Sequence, residues 1–551
     1  MDNFTSVLKA VGFKGEIDDT ATSLDFYSHD ASLFELRPKL VVSPKDSKDV
    51  QVLVKTIAQE KAKHPSLSVT ARSAGTDMSG GAINDSIIAD FTKHFSAITS
   101  VTPTAAHVQP GVYYRDFEVE TLKHNALLPP FPASRDLCTV GGMVNNNSGG
   151  EKSLEYGKTE KFVNELKVVF ADGNEYSVKP LHKAELFKKI AQKNYEGQLY
   201  KKLYELIEAN YDAIKAAKPH VTKNSTGYKL WDVWDRETGI FDMTQIIIGA
   251  QGTLGLTTDI NFRLVPATKH SGSLVIFLRK TDDLGELINK VMTHHPATFE
   301  GFDNYTLILS IKLFFSFHKL IGWKETIKLA IQLIPDALIL FRGIPKMVLL
   351  AEFTGATPEE VSKKVHDMRM DMQEFKHETL FEEDDTEKKQ RKFQIMRRSS
   401  FQLLRSKVKD KHTAPYIDDL VVNPEYLPKF LPELRKIIKK YKLLATIAGH
   451  MGDGNFHIIP LMKLEDKDER EKLQPSMREV NELVLKYKGS LSGEHNDGLV
   501  RGPWLEQMYG KEIVGLFKET KKIFDPEDIF NPHKKADATW DYSFSHVRDH
   551  F

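Results

Sequence analysis

The chain has 551 residues, 41% apolar and 28% charged, which is ordinary globular usage and too long for one hydrophobic core, so two or three domains are expected. Lysine plus arginine (76) equals aspartate plus glutamate (76), so no global field attracts nucleic acid, and nucleic-acid binding is not expected. One cysteine, Cys138, excludes an internal disulfide framework and a four-cysteine iron–sulfur cluster held by this chain alone, and points to a reducing compartment.

The N-terminus, MDNFTSVLKAVGFKGE, has neither a basic n-region nor a long apolar run, so no secretory signal is expected. A short helix is predicted near Phe4 to Val11. KLVVSP, SKDVQVLVKTIAQEKAKH and SLSVTARSAGTDMSGG then read as a strand, a helix opened by Ser47, and a second strand entering a glycine loop. Right-handed crossover makes the two strands parallel. In that loop Gly75, Thr76, Ser79, Gly80 and Gly81 offer successive small residues whose N–H groups can form a nest for a pyrophosphate. It is neither GxGxxG nor GxxxxGK[ST], so NAD-type and P-loop binding are not indicated.

A second glycine-rich loop, TVGGMVNNNSGG (139–150), lets the backbone approach a flat ligand at Gly141 and Gly142, with Asn145, Asn146 and Ser148 as uncharged polar contacts. NELKVVFADG predicts a strand ending in an Asp-Gly hairpin turn. A third glycine loop followed by a strand, IIIGAQGTLGLTTDINFRLVP, spans 246–266. From about 270 a separate α+β domain is predicted, with a strand at LVIFL and amphipathic helices at DDLGELINKVMTHH and PEEVSKKVHDMRMDM.

Residues 306–353 are apolar but broken by Lys312, His318, Lys319, Lys324 and Pro335, short of the ~20 uninterrupted residues of a spanning helix. Two readings stand: core helices under a cap, or an interfacial surface touching lipid or a membrane partner. The charged run 382–412 predicts an amphipathic helix on which either Arg397 or Arg398 turns inward to meet a carboxylate.

The last chemistry-bearing stretch is AGHMGDGNFHIIP. A two-residue turn centred on Asp453-Gly454 would close with 452 opposite 455, placing His450 directly opposite His457. Two facing imidazoles could grip one ion, and Glu494, from SGEHNDG, could complete a three-ligand site with an open position and His495 spare beside it.

Together KLVVSPKDSKDV, RSAGTDMSGGAI, TVGGMVNNNSGG, YGKT, GAQGTLGLTT, GHMGDGNFH, SGEH and IFNP resemble the FAD-linked oxidase family of the vanillyl-alcohol oxidase fold. The resemblance is to its D-2-hydroxy acid dehydrogenases: D-lactate dehydrogenases, the glycolate oxidase flavin subunit and D-2-hydroxyglutarate dehydrogenase. It implies an α+β fold with a two-part PCMH-type FAD-binding domain and a cap, or substrate, domain built on an antiparallel sheet. The expected division is an N-terminal helical segment (1–35), the FAD domain (36–268), the cap with the metal site (269–500), and a segment returning to the FAD domain (501–551).

The resemblance further implies that Arg72, Ser73, Ala74, Gly75, Thr76, Asp77, Ser79 and Gly80 hold the FAD pyrophosphate. Thr139, Gly141, Gly142, Asn145, Asn146 and Gly149 would line the flavin, Gly252, Thr253 and Gly255 would approach it from the third loop, and Asn531 would contact it. His450, His457 and Glu494 would bind a divalent metal, zinc or manganese, with His495 as the base and Arg397 at the substrate carboxylate. The implied reaction turns a small D-2-hydroxy acid into a 2-keto acid. No histidine stands in the 72–81 loop, so covalent flavin attachment there is not expected.

Two departures are visible: Gln251 replaces a common glutamate, and Ile417 stands where some hydroxyglutarate-oxidising relatives place a lysine, which favours D-lactate. Without iron–sulfur clusters, electrons must pass to a partner such as a quinone, a cytochrome or an electron-transfer flavoprotein. The location implied is cytoplasmic, with peripheral contact at the inner face of the membrane as the alternative; the oligomeric state stays open. Competing readings are D-2-hydroxyglutarate or glycolate as substrate, a metal-dependent hydrolase without flavin, and a catalytically silent flavin subunit of an electron-transfer complex.

Overall fold

The computed structural model describes residues 2–281, 283–304, 307–308, 322–324, 326–327, 344–375, 378–382 and 411–550. Arg397, Arg398 and nearly all of the helix expected over 382–412 lie outside these residues, as does most of the 306–346 stretch.

Leu40, Val41, Val42 and Ser43 are all buried, as a strand covered on both faces requires. The first sheet has the order Glu16–Asp18, Leu40–Ser43, Ile87–Asp90, Val69–Arg72. Leu40–Ser43 and Val69–Arg72 each run parallel to the Ile87–Asp90 strand between them, so the predicted parallel unit is present with a third strand inserted. Its helix, Ser47–Glu60, is capped by Asp46 rather than opened by Ser47: Asp46 Oδ1 accepts the Asp49 N–H at 3.0 Å. Val50, Leu53, Val54 and Ile57 of this helix are fully buried against the sheet, at about 1.5–3 kcal/mol each.

The chain's last segment closes this sheet. Phe530 bridges Val69 in parallel, with Val69 N–H donating to Ile529 O (2.8 Å) and Asn531 N–H to Val69 O (2.9 Å).

A second sheet of five antiparallel strands carries the predicted hairpin Val163–Val169/Glu175–Val178 and the strand Leu256–Arg263. TVGGMVNNNSGG differs from the expected loop: residues Val140–Asn146 form a short helix, capped by Thr139 Oγ1 from Gly142 N–H.

The second half is built on an eight-stranded antiparallel sheet. Its strands include His270–Leu278, Thr298–Asp303, Met347–Gly355, Leu444–His450 and Asn455–Met462. The predicted helices appear as Leu284–Thr293 and Pro358–Met372, the latter capped by Thr357 with Pro358 at its first position. Met347–Gly355 takes the end of the 306–353 stretch as an inner strand, so the helical reading fails there: MVLLAEFTG is the run of a strand buried on both faces. Among the described residues, no helix is long and apolar enough to cross a membrane.

Candidate active site

The glycine-rich stretches of the first half and the cap strands face one cavity of about 680 Å³. Arg72, Ser73, Gly75, Thr76, Asp77, Thr139, Gly141, Gly142, Asn145, Asn146, Gly149 and Gly252 line it, opposite His450, His457, Glu494 and His495. Six expected cofactor residues stand behind that wall. Ala74 is half-buried between lining neighbours. Ser79 O accepts the Leu499 N–H (2.8 Å), and Gly80 (φ 79°) packs where a Cβ would come 2.8 Å from the Phe34 ring. Thr253 Oγ1 donates to Ala250 O (2.7 Å), and a Cβ on Gly255 would meet Val168 at 2.7 Å. Asn531 Nδ2 donates to Gly81 O (2.8 Å) and Gln251 O (2.7 Å), tying two of the loops together from below.

The glycine loop satisfies part of itself. Asp77 Oδ2 accepts the Ser79 and Gly81 N–H groups (3.1 and 2.7 Å), and Asp77 Oδ1 accepts from Asn146 Nδ2 (2.8 Å), so those two amides are engaged within the protein. Arg72 turns inward, donating from Nη2 to His29 O (2.9 Å), and Gly75 beside it takes φ 70°, a left-handed conformation that favours glycine. Gln251 explains its own departure from glutamate: its Nε2 donates to Ser79 Oγ (2.8 Å) and Asn146 Oδ1 (3.3 Å), while its Oε1 accepts from Gly498 N–H (2.8 Å). An ionised glutamate could not make the two donations.

The histidine hairpin differs in register from the expected one. Met451–Asp453 form a 3-10 turn, Gly454 follows at φ 63°, and His450 pairs with Asn455 while Ala448 pairs with His457. The expected closure with His450 opposite His457 is therefore displaced by two residues. Because side chains alternate with period two, a two-residue displacement keeps both imidazoles on one face, now as diagonal neighbours. Their ring centroids are 5.4 Å apart, and ligating atoms of His450, His457 and Glu494 all lie within 4.8 Å of one another.

Carboxylates orient each ring. Glu300 Oε1 is 2.6 Å from His450 Nδ1, Asp418 Oδ1 is 3.3 Å from His457 Nδ1, and Asp418 Oδ2 is 2.8 Å from His495 Nδ1. Holding Nδ1 in this way directs Nε2 to a ligand or substrate, the usual outer arrangement of metal-binding histidines. The next aspartate fixes the loop: Asp419 Oδ2 accepts the N–H groups of Glu494 (2.9 Å) and His495 (2.8 Å). Asp418/His457/His495 and Asp419/Glu494/His495 also converge within the same limit; Asp419 Oδ2 is taken up by the Glu494 and His495 N–H groups, whereas Asp418 Oδ2 has no hydrogen-bond partner among the described residues.

Glu300, Asp418, Asp419, Asp453 and Glu494 are buried; among the described residues Lys223 pairs with Asp453 and Glu494, and Arg501 donates to the backbone carbonyl of Asp418. Burial pulls the His450 pKa down, but Glu300 and Glu494 raise it to about 9. Burial likewise opposes the His495 cation, and Asp419 and Asp418 lift that pKa to about 9. Burial would raise Glu494, yet Lys223 and His450 hold it well below the usual carboxylate range. A His-His-Glu donor set with carboxylate-held imidazoles fits a divalent ion.

Sequence reasoning missed Glu300, Asp418, Asp419 and Lys223. The Asp-Asp pair inside IDDLVV was a legible signal; Glu300 and Lys223 carried none. Ile417, read as a specificity position, is 1% exposed in the core of the cap and is not among the described residues that line the cavity.

Residues 38–179 match the family described as FAD binding domain, and residues 268–535 match FAD linked oxidases, C-terminal domain. The chain is similar to D-2-hydroxyglutarate dehydrogenase of Pseudomonas putida, 26% identical over 96% of this chain and 51% of that protein, and so spans about half the length of that relative. It is also similar to the glycolate oxidase subunit GlcD of Bacillus subtilis, 25% identical over 94% of this chain and 93% of that one. Among solved structures, 4-ethylphenol oxidase from Gulosibacter chungangensis shares the fold, with a TM-score of 0.67 at 14% identity over 98% of this chain and 97% of that one. With two family matches in the expected order and one cavity between them, the chain belongs to the FAD-linked oxidase family.

Proposed function

We propose that the protein is an FAD-dependent dehydrogenase that oxidises a small D-2-hydroxy acid to the 2-keto acid. The observation that carries this reading is the shared cavity, in which His450, His457, Glu494 and His495 face the glycine-rich wall. A hydrolase would need the metal residues but leaves that wall without a purpose. The domain division 1–35, 36–268, 269–500 and 501–551 belongs to the same reading, with FAD on the glycine-rich wall.

When bound, FAD supplies a hydride acceptor, and a divalent ion, zinc or manganese, supplies a Lewis acid that eases ionisation of a hydroxyl. His450, His457 and Glu494 would hold the ion, with Glu300 and Asp418 fixing the two rings. His495, with its Nδ1 2.8 Å from Asp418 Oδ2, would take the substrate's hydroxyl proton at Nε2 once the charge of a bound ion brings its pKa down from about 9. The α-hydrogen departs with its electron pair, and the carbinol carbon becomes the ketone. Arg397 is assigned to the substrate carboxylate on its charge and its place in the sequence. The reoxidising partner is a quinone, a cytochrome or an electron-transfer flavoprotein, met in the cytoplasm or at the inner face of a membrane.

The names of the relatives point to D-2-hydroxyglutarate and glycolate, which stand beside D-lactate as candidate substrates. Anaerobic flavin bleaching with these three acids tests the reading and ranks them. Bleaching by a D-acid but not its L-isomer, lost with chelator and restored by zinc or manganese, is expected; a protein that takes up no FAD defeats it.

A further inference from the structure

We infer that Lys223 is a positioning residue that holds Glu494 as an ion ligand and so sets the affinity of the site for a divalent cation; this rests on the metal reading above. Lys223 comes from the first half of the chain, yet its ammonium sits 2.7 Å from Glu494 Oε1 and 2.8 Å from Asp453 Oδ2, with its side chain 1% exposed. The oxygen it holds is the one that lies 3.5 Å from His450 Nε2. A third bond, to Gly150 O at 3.3 Å, ties the ammonium to the flavin-facing stretch. Gly149 forms the other wall, since a Cβ there would lie 3.1 Å from the same Glu494 oxygen.

The surrounding segment is a strut between the two halves. Thr222 Oγ1 donates to Asp453 O (2.7 Å) in the histidine hairpin, and Ser225 N–H to Ser492 O (2.9 Å) in the Glu494 loop. Lys223 thus stands where the hairpin, the Glu494 loop and the glycine stretch meet. Two neighbouring buried carboxylates repel each other, and a cation seated between them holds both in place. Without it, Glu494 is free to swing its Oε1 away from His450, and the three donors no longer converge.

The test uses the full chain loaded with FAD. Zinc and manganese affinities are measured by competition with a chromophoric chelator for wild type, K223M, K223Q and K223R. K223M keeps the apolar stem but removes the charge and should bind the ion about 10–100-fold more weakly, the usual cost of losing a partner of a metal ligand. K223Q, a donor without charge, should fall between, and K223R should recover most of the loss. Equal flavin content across the series shows that the cavity is intact; if K223M sheds its flavin, K223Q against K223R carries the comparison. Unchanged or tighter binding in K223M, or a loss that K223R does not recover, overturns the inference. A wild-type chain that binds neither ion, indistinguishable from H450A, overturns the metal reading itself.

Discussion

The two walls of the cavity are built by opposite means. The glycine-rich wall uses mainly small residues and neutral amides, with Arg72 and Asp77 bonded to backbone groups of the protein: Gly141, Gly142, Asn146 and Gln251 shape it, and the hydrogen bonds of Gln251 join three separate segments. The cap wall is a knot of charge, with five buried carboxylates and three histidines, met by Lys223 from the first half of the chain. A wall that binds by shape shows itself in the chain as glycine-rich runs, even though several of those glycines pack against distant groups, Gly80 against Phe34 and Gly255 against Val168. A wall that works by charge must gather partners from distant segments, since each buried ion needs a counter-charge that its own loop does not provide.

That contrast is most severely tested on the cap side. His495→Ala removes the proposed proton acceptor and should slow substrate-driven flavin bleaching by ~10²–10⁴-fold while leaving FAD content unchanged. Stopped-flow reduction within threefold of wild type would falsify the base assignment. Asp418→Asn should cost less, about 10–100-fold in bleaching rate or ion affinity, because it loosens both rings without removing either. If Asp418→Asn matches wild type in both measurements, the shared carboxylate orients nothing that matters.

Legibility in the sequence follows the same division. The parallel unit, the hairpin at 163–178 and the strand after GAQGTLG were readable because hydrophobic period, crossover handedness and turn residues are local signals. His450, His457 and Glu494 were readable as a set through their glycine turns, although the register was displaced: a two-residue turn was expected where a 3-10 turn closes the hairpin. Glu300 and Lys223 were not readable. They lie 150 and 271 residues from the partners they serve, His450 and Glu494, and a lone Glu or Lys in a sequence says nothing about which distant group it balances. The same holds for Asn531, whose position was legible but whose work is to tie Gly81 and Gln251 behind the wall.

The hairpin turn itself carries a smaller effect. Gly454 adopts φ 63°, and a Cβ there would lie 1.8 Å from Val422 O, in backbone that cannot move aside cheaply. Gly454→Ala should destabilise the cap by about 2–4 kcal/mol, read as a lower denaturation midpoint. Gly515→Ala, in the helix Leu505–Phe524 with nothing within 4 Å of its added Cβ, is the control and should be neutral or slightly stabilising. Equal midpoints for both variants would show that the turn geometry is not as tight as described.

The smallest effect is expected on the neutral side. Asp30 is buried beneath the glycine loop with Oδ1 accepting the Ser32 N–H (2.9 Å) and Oδ2 without a hydrogen-bond partner among the described residues. Burial, then the nearby Asp77 carboxylate, raise its pKa to about 7, against the partial relief offered by Ser32 and Arg72. Glu494, equally buried, is driven the opposite way by Lys223 and His450, so the two carboxyls measure the difference between the walls. For Asp30 the folded value lies above the unfolded value near 4, so its contribution to stability is full below pH ~4 and is lost as pH rises through about 7. Asp30→Asn cannot ionise and should flatten that slope: relative to wild type it gains thermal stability between pH 5 and pH 8, by a few degrees at roughly 2–4 °C per kcal/mol. A variant whose melting temperature tracks wild type across that range would place the charge of Asp30 in balance with Arg72, and the neutral wall would then hold an ion pair like those of the cap.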